Sequence, residues 1–133
     1  RIAISKLNQT AMDLISNKNY SEALSITDQI ISELNEQHRD LDYTLDGATF
    51  TNYKQAYLLS SQAKLQLDKK DEAKKDYDRL IEIAKSEKLN KNLIVMYIER
   101  SIFNSQNNDY EEAVVDLKLA LDLLNKLDTA SSD

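Results

Sequence analysis

The chain has no cysteine, no proline and no tryptophan, and only one glycine and one histidine, in 133 residues. Without cysteine there is no disulfide framework, thiol nucleophile or thiolate metal site. Without proline, and with Gly47 as the sole glycine, a strand-and-turn fold would lack the residues its corners need, which favours an all-α chain. A single glycine also excludes a phosphate-cradling glycine loop. His38, in E-Q-H-R-D, has no H-E-x-x-H or E-x-x-H partner, so zinc and di-iron sites lack their nitrogen ligands and no cofactor is expected. It reads as a solvated loop residue. A Ser–His couple would need His38 beside an activated serine and a rigid oxyanion donor, which a glycine-poor helical chain does not offer. No apolar run approaches the ~20 residues needed to cross a bilayer.

The composition, 41% apolar and 30% charged, is that of an ordered domain rather than a disordered segment. Its length suits one compact domain over residues 1–133. A net charge of −6, with basic residues scattered among acids, argues against nucleic acid and anionic membranes, both of which call for dense Lys/Arg patches. The chain begins at Arg1 already in helical pattern and without a signal peptide, and is read as a fragment of a longer protein. The compartment stays open, with the cytoplasm favoured.

Six segments carry apolar residues at helical spacing. They pair into hairpins at about 3–36, 51–86 and 92–128. The breaks are expected near 18–19, 37–50, 67–69, 87–91 and 107–109. The polar interval Gln37–Gly47 is the best loop candidate, because it holds the lone glycine. Within it Asp40, Asp42 and Asp46 precede Gly47 and resemble part of a calcium loop. The D-x-D-x-D-G order is broken and the closing bidentate Glu is missing, so they are read as solvated, turn-forming acids.

One short phrase recurs: K-N-Y-S-E-A at 18–23, L-D-K-K-D-E-A at 67–73 and N-N-D-Y-E-E-A at 107–113. Asn19, Asp68 and Asp109 are good N-cap residues, followed by Glu22, Asp71 and Glu112, which favour the positive helix end. Then comes Ala23, Ala73 or Ala113, small enough for a neighbouring helix to approach closely. Three such phrases, each ending one apolar helix and starting another, indicate a repeated helix–turn–helix unit.

With Ala11, Ser61 and Ser101 twelve positions before these alanines, the pattern resembles the tetratricopeptide repeat family. Leu7, Tyr57 and Tyr97 match its large first-helix position, and Tyr20 and Tyr110 its corner tyrosine. Lys70 departs from that tyrosine, Ile30 and Leu80 from the late small position kept by Ala120, and the repeat-ending proline is replaced by Asn35, Lys85 and Asn125. The spacing between repeats is also longer than the family's. The resemblance implies a superhelical stack of three antiparallel hairpins, non-enzymatic, binding a protein or peptide along the first helices. Longer repeats also resemble those of bacterial sensors and transcription regulators, which implies a ligand-sensing regulatory segment as the alternative. A helical-bundle enzyme is a third reading with no candidate cluster.

Transferred onto this chain, the family's groove falls on Asn8, Gln9 and Met12, then Gln55, Leu58, Gln62, Leu65 and Gln66, then Val95, Ile98, Glu99 and Ile102. Amides there suit a peptide backbone and aliphatics its apolar side chains. The clamp with which some members grip a C-terminal carboxylate would fall on Asn8, Met12, Leu59, Val95 and Glu99. Only Asn8 fits, and Glu99 repels a carboxylate. In the last helix Ala113, Val114, Leu117, Ala120, Leu121, Leu124 and Leu127 form one stripe, expected to pack inside the third hairpin. Val115, Leu119 and Leu123 form a second, expected to be covered by a next repeat or to join two copies as a homodimer.

Overall fold

A computed structural model of the chain describes residues 3–41 and 45–132. The described residues form six helices and no strand: α1 (Ile4–Ser16), α2 (Tyr20–Leu41), α3 (Gly47–Gln66), α4 (Lys70–Ser86), α5 (Asn90–Gln106) and α6 (Tyr110–Ser132). They follow one another as helical hairpins. Two compact units divide the chain, Arg1–Leu80 and Ile81–Asp133.

The recurring phrase is a single three-residue corner. At the first, the N–H of Lys18 donates to the Ile15 carbonyl (3.0 Å) and that of Asn19 to Leu14 (2.7 Å). These are the paired bonds of a Schellman motif, and they satisfy carbonyls that a helix end leaves open. The Asn19 carbonyl then accepts from Ala23, so the residue that closes one helix opens the next. The same bonds recur at Lys69, Leu89 and Asp109, whose N–H groups reach Lys64, Ala84 and Asn104 at 2.7–2.9 Å. The closing residues Lys18, Asp68, Lys88 and Asn108 all have positive φ, 57–67°.

These geometries correct two expectations. Asp68 is not an N-cap but the left-handed residue of its corner, equivalent to Lys18 and Asn108, and Lys69 takes the place of Asn19 and Asp109. Asp tolerates that conformation because its short polar side chain can bond locally. The break at 87–91 is also shorter than expected: it is a fourth copy of the corner, and α5 already starts at Asn90.

The interval from Gln37 differs more. α2 continues through His38 and Arg39 to Leu41, since nothing from Asn35 to Arg39 breaks a helix and the Arg39 cation sits in the last turn, where the dipole favours it. His38 is therefore a half-buried helix residue rather than a loop residue. Gly47 is not a turn residue either, for it is the first residue of α3 and has no positive φ. Asp46 caps that helix, its Oδ1 accepting from the Thr49 N–H at 2.8 Å. That bond to the backbone N–H holds the Asp46 carboxyl below its ordinary value of 3.8. Asp42, and the side chain of Asp40, lie outside what the structure describes.

In the N-terminal unit α3 packs against α1 and α2. Ile30, Leu34, Phe50, Tyr53 and Ala56 are buried there, while Ile15, Ala23 and Ala63 form a cluster flanked by Leu14, Tyr20, Leu24 and Leu59. The Tyr53 hydroxyl donates to Asn35 Oδ1 of α2 at 2.8 Å. The small residues Ala11, Ala23, Ser61 and Ala73 are buried, and Ser61 Oγ of α3 donates to the Ala73 carbonyl of α4 at 3.1 Å. In the C-terminal unit Leu93, Met96, Tyr97, Phe103, Ala113 and Ala120 are buried.

Candidate functional site

The first-helix residues proposed to line a groove fall into two sets, one in each unit. In the N-terminal unit, Asn8 of α1 donates from Nδ2 to Gln55 Oε1 of α3 at 3.2 Å, so the structure joins these two sites directly. Asn8 is buried; Gln9 and Met12 beside it are exposed, Gln9 donating to Asp13 one turn on. Along α3, Gln55, Gln62 and Gln66 are exposed and Leu58 and Leu65 half-buried. At 100° per residue these five occupy one side of the helix. Its other sides are taken: Ala56, Ser60 and Ala63 are buried, and Ser61 and Lys64 bond to α4. The stripe is thus what remains open on a helix packed on its remaining sides.

In the C-terminal unit, Val95, Ile98 and Ile102 of α5 are exposed, and Glu99 is half-buried with polar interactions of its own. Ile98 and Ile102 stand with Ser101, Ser105, Tyr110, Ala113, Val114 and Leu117 around an open apolar depression between α5 and α6. This corrects the reading of the last helix. Ala113 and Ala120 pack inside the hairpin, but Val114, Leu117, Leu121 and Leu124 are 45–55% exposed. The buried side of α6 is narrower because alanines and Asp116, not leucines, face α5. Of the second stripe, Val115 and Leu119 are exposed and Leu123 half-buried.

The sequence reading missed the polar bonds that tie first to second helix within a hairpin. Asp116, buried on α6, accepts from Arg100 Nε (2.9 Å) and Nη2 (2.6 Å) and from Asn104 Nδ2 (3.0 Å). Three residues past Ala73, as Asp116 is past Ala113, Asp76 accepts both bonds of Lys64 Nζ at 3.1 Å. Burial raises the Asp76 carboxyl above its ordinary value of 3.8, against the lowering effect of Lys64. The available signal was an acid on the apolar side of each helix; the equivalent residue in the first hairpin is Ile26. In these pairs both oxygens of each carboxylate accept a bond from within the hairpin, so they organise the hairpins rather than meet a ligand. Among the described residues no group of three or more His, Cys, Asp or Glu could hold a metal ion, and no helix is long and apolar enough to cross a membrane.

Residues 54–87, most of α3 and all of α4, match the family model described as Tetratricopeptide repeat. This repeat builds protein-interaction scaffolds and is typically non-enzymatic. No curated protein and no solved structure matches the chain significantly.

Proposed function

Taking residues 54–87 as a tetratricopeptide repeat, we propose that this chain is a non-enzymatic scaffold that binds a protein or peptide segment on the open side of α3. The observation that carries this is the stripe Gln55, Leu58, Gln62, Leu65 and Gln66, the one side of α3 that its neighbours leave uncovered. Its chemistry suits an extended peptide. Each exposed amide offers a donor and an acceptor to a peptide backbone, and the two half-buried leucines between them offer apolar contact. Asn8 steadies the near end by holding Gln55, with Met12 of α1 exposed nearby in the sequence. In the C-terminal unit Val95, Ile98 and Ile102 provide a more apolar face of their own.

Replacing both Gln62 and Leu65 by Lys tests the reading. A partner recovered by affinity capture, its affinity then measured by calorimetry, should bind the variant at least about tenfold more weakly, a loss of roughly 1.4 kcal/mol. Circular dichroism should show unchanged helicity, because Gln62 is exposed and Leu65 only half-buried, on the open side of α3. Undiminished binding would place the site on another side of the chain.

A further inference from the structure

The hairpins α1–α2 and α5–α6 have the same corner, so their residues can be aligned one to one. Asn8 aligns with Ile98, Ile15 with Ser105, Tyr20 with Tyr110, Ala23 with Ala113, Leu24 with Val114, Thr27 with Leu117 and Leu34 with Leu124. Equivalent positions differ sharply in exposure. Thr27 is 0% and Leu34 1% exposed, whereas Leu117 is 50% and Leu124 45% exposed. On this side of the first hairpin α3 brings Ala63 into one buried cluster with Ile15 and Ala23, and Leu14, Tyr20, Leu24 and Leu59 pack against it. The matching side of α5–α6 is the open apolar depression. It has Leu117 where the first hairpin has Thr27 and Ile98 where it has Asn8, while Ser101 and Ser105 stand where it has Ala11 and Ile15.

We propose that this side of α5–α6 is a docking surface for a second copy of the same chain. What covers the equivalent side in the N-terminal unit is a helix, so a helix is the occupant whose shape fits. Among the described residues, every exposed large hydrophobic except Met12 lies on α5 or α6. α6 therefore carries the one broad unpartnered apolar helix side that the chain can offer to itself.

The spacing of that stripe makes it self-complementary. Val114, Leu117, Leu121 and Leu124 are separated by three, four and three residues, the seam spacing of a coiled coil. A three–four–three pattern reads the same from either end. Two α6 helices laid antiparallel about a two-fold axis bring Val114 against the partner's Leu124 and Leu117 against the partner's Leu121, as an isologous interface requires. Ile98 and Ile102 widen the contact on each side. Together these residues form a contiguous patch of the kind that marks an interaction surface, unlike aliphatics exposed singly.

Light scattering during gel filtration should give the unaltered chain a mass that moves toward twice that of one chain as concentration rises. The double variant Leu117→Lys, Leu121→Lys should stay at the mass of one chain with unchanged circular dichroism. The absence of cysteine allows a second readout that does not depend on the Lys variant folding. Val114→Cys and Leu124→Cys, made separately and mixed under oxidising conditions, should form a cross-chain disulfide. Neither variant alone should do so efficiently, since the axis holds like positions ten helical residues, roughly 15 Å, apart. A monomer at all concentrations overturns the proposal. So does a dimer that survives the Lys substitutions in folded form, or a disulfide that forms as well in each variant alone as in the mixture.

Discussion

At the residue scale, two buried carboxylates show how much of each hairpin is held by polar bonds rather than apolar contact. Asp116 is met by a guanidinium fork and an amide, and Asp76 by one ammonium. Burial taxes the ionised form, and for Asp76 this outweighs Lys64, leaving its folded pKa above 3.8. The folded state then holds a proton that the unfolded chain has already released, in the window from 3.8 up to the raised value. Stability contributed by this group is greatest below that window and falls as pH rises through it. Urea unfolding of the unaltered chain and of Asp76→Asn, between about pH 3 and pH 6, should show this decline in the first and its removal in the second. Parallel pH profiles would mean that Lys64 cancels the cost of burial. In the first hairpin the aligned pair is Leu14 and Ile26, so the same position accepts either an apolar contact or a satisfied ion pair.

At the element scale, the four corners make the helices end without glycine or proline. Each places a non-glycine residue at positive φ, which for an L-residue costs about 1–2 kcal/mol relative to the right-handed form. The two Schellman bonds and the shared cap residue offset this. Lys88→Gly should therefore hold or raise stability, by up to about 1 kcal/mol, and Lys88→Val should lower it by about 1 kcal/mol or more. Thermal unfolding of the two variants would check the ordering. Equal losses in both would show that the Lys88 side chain, not its backbone geometry, stabilises the corner. The corners were legible in the sequence as recurring polar phrases, but their alignment was not. Asp68 looks like a cap, and only its φ of 62° identifies it as the left-handed residue.

At the scale of the whole molecule, α3 and α6 are buried unequally within their units. α3 is covered on several sides in the N-terminal unit, whereas beyond Ala120 no described side chain of α6 is fully buried. Local opening needs least free energy where apolar contacts are fewest. Amide hydrogen exchange should be slowest around Ile30–Leu34 and faster at 121–129 than at 113–120. At concentrations where two copies associate, 121–124 should gain protection. Uniform protection along α6 at high dilution would mean that the helix is held by something other than burial.

Local information in the sequence determined the helical class, the six helices, the hairpin corners and the small residues at their crossings. Those features depend on spacing over a few residues, and residues 11, 23, 61 and 73 behave as their size requires. The open stripe Gln55–Gln66 was legible only in part: its residues were named, but spacing cannot say which side of a helix its neighbours leave uncovered. The same holds for α6, where Val114, Leu117, Leu121 and Leu124 have the periodicity of a core and the exposure of a surface. A helical period shows only that residues share a side. Whether that side is covered depends on a second helix that is distant in sequence, and only the tertiary structure decides that.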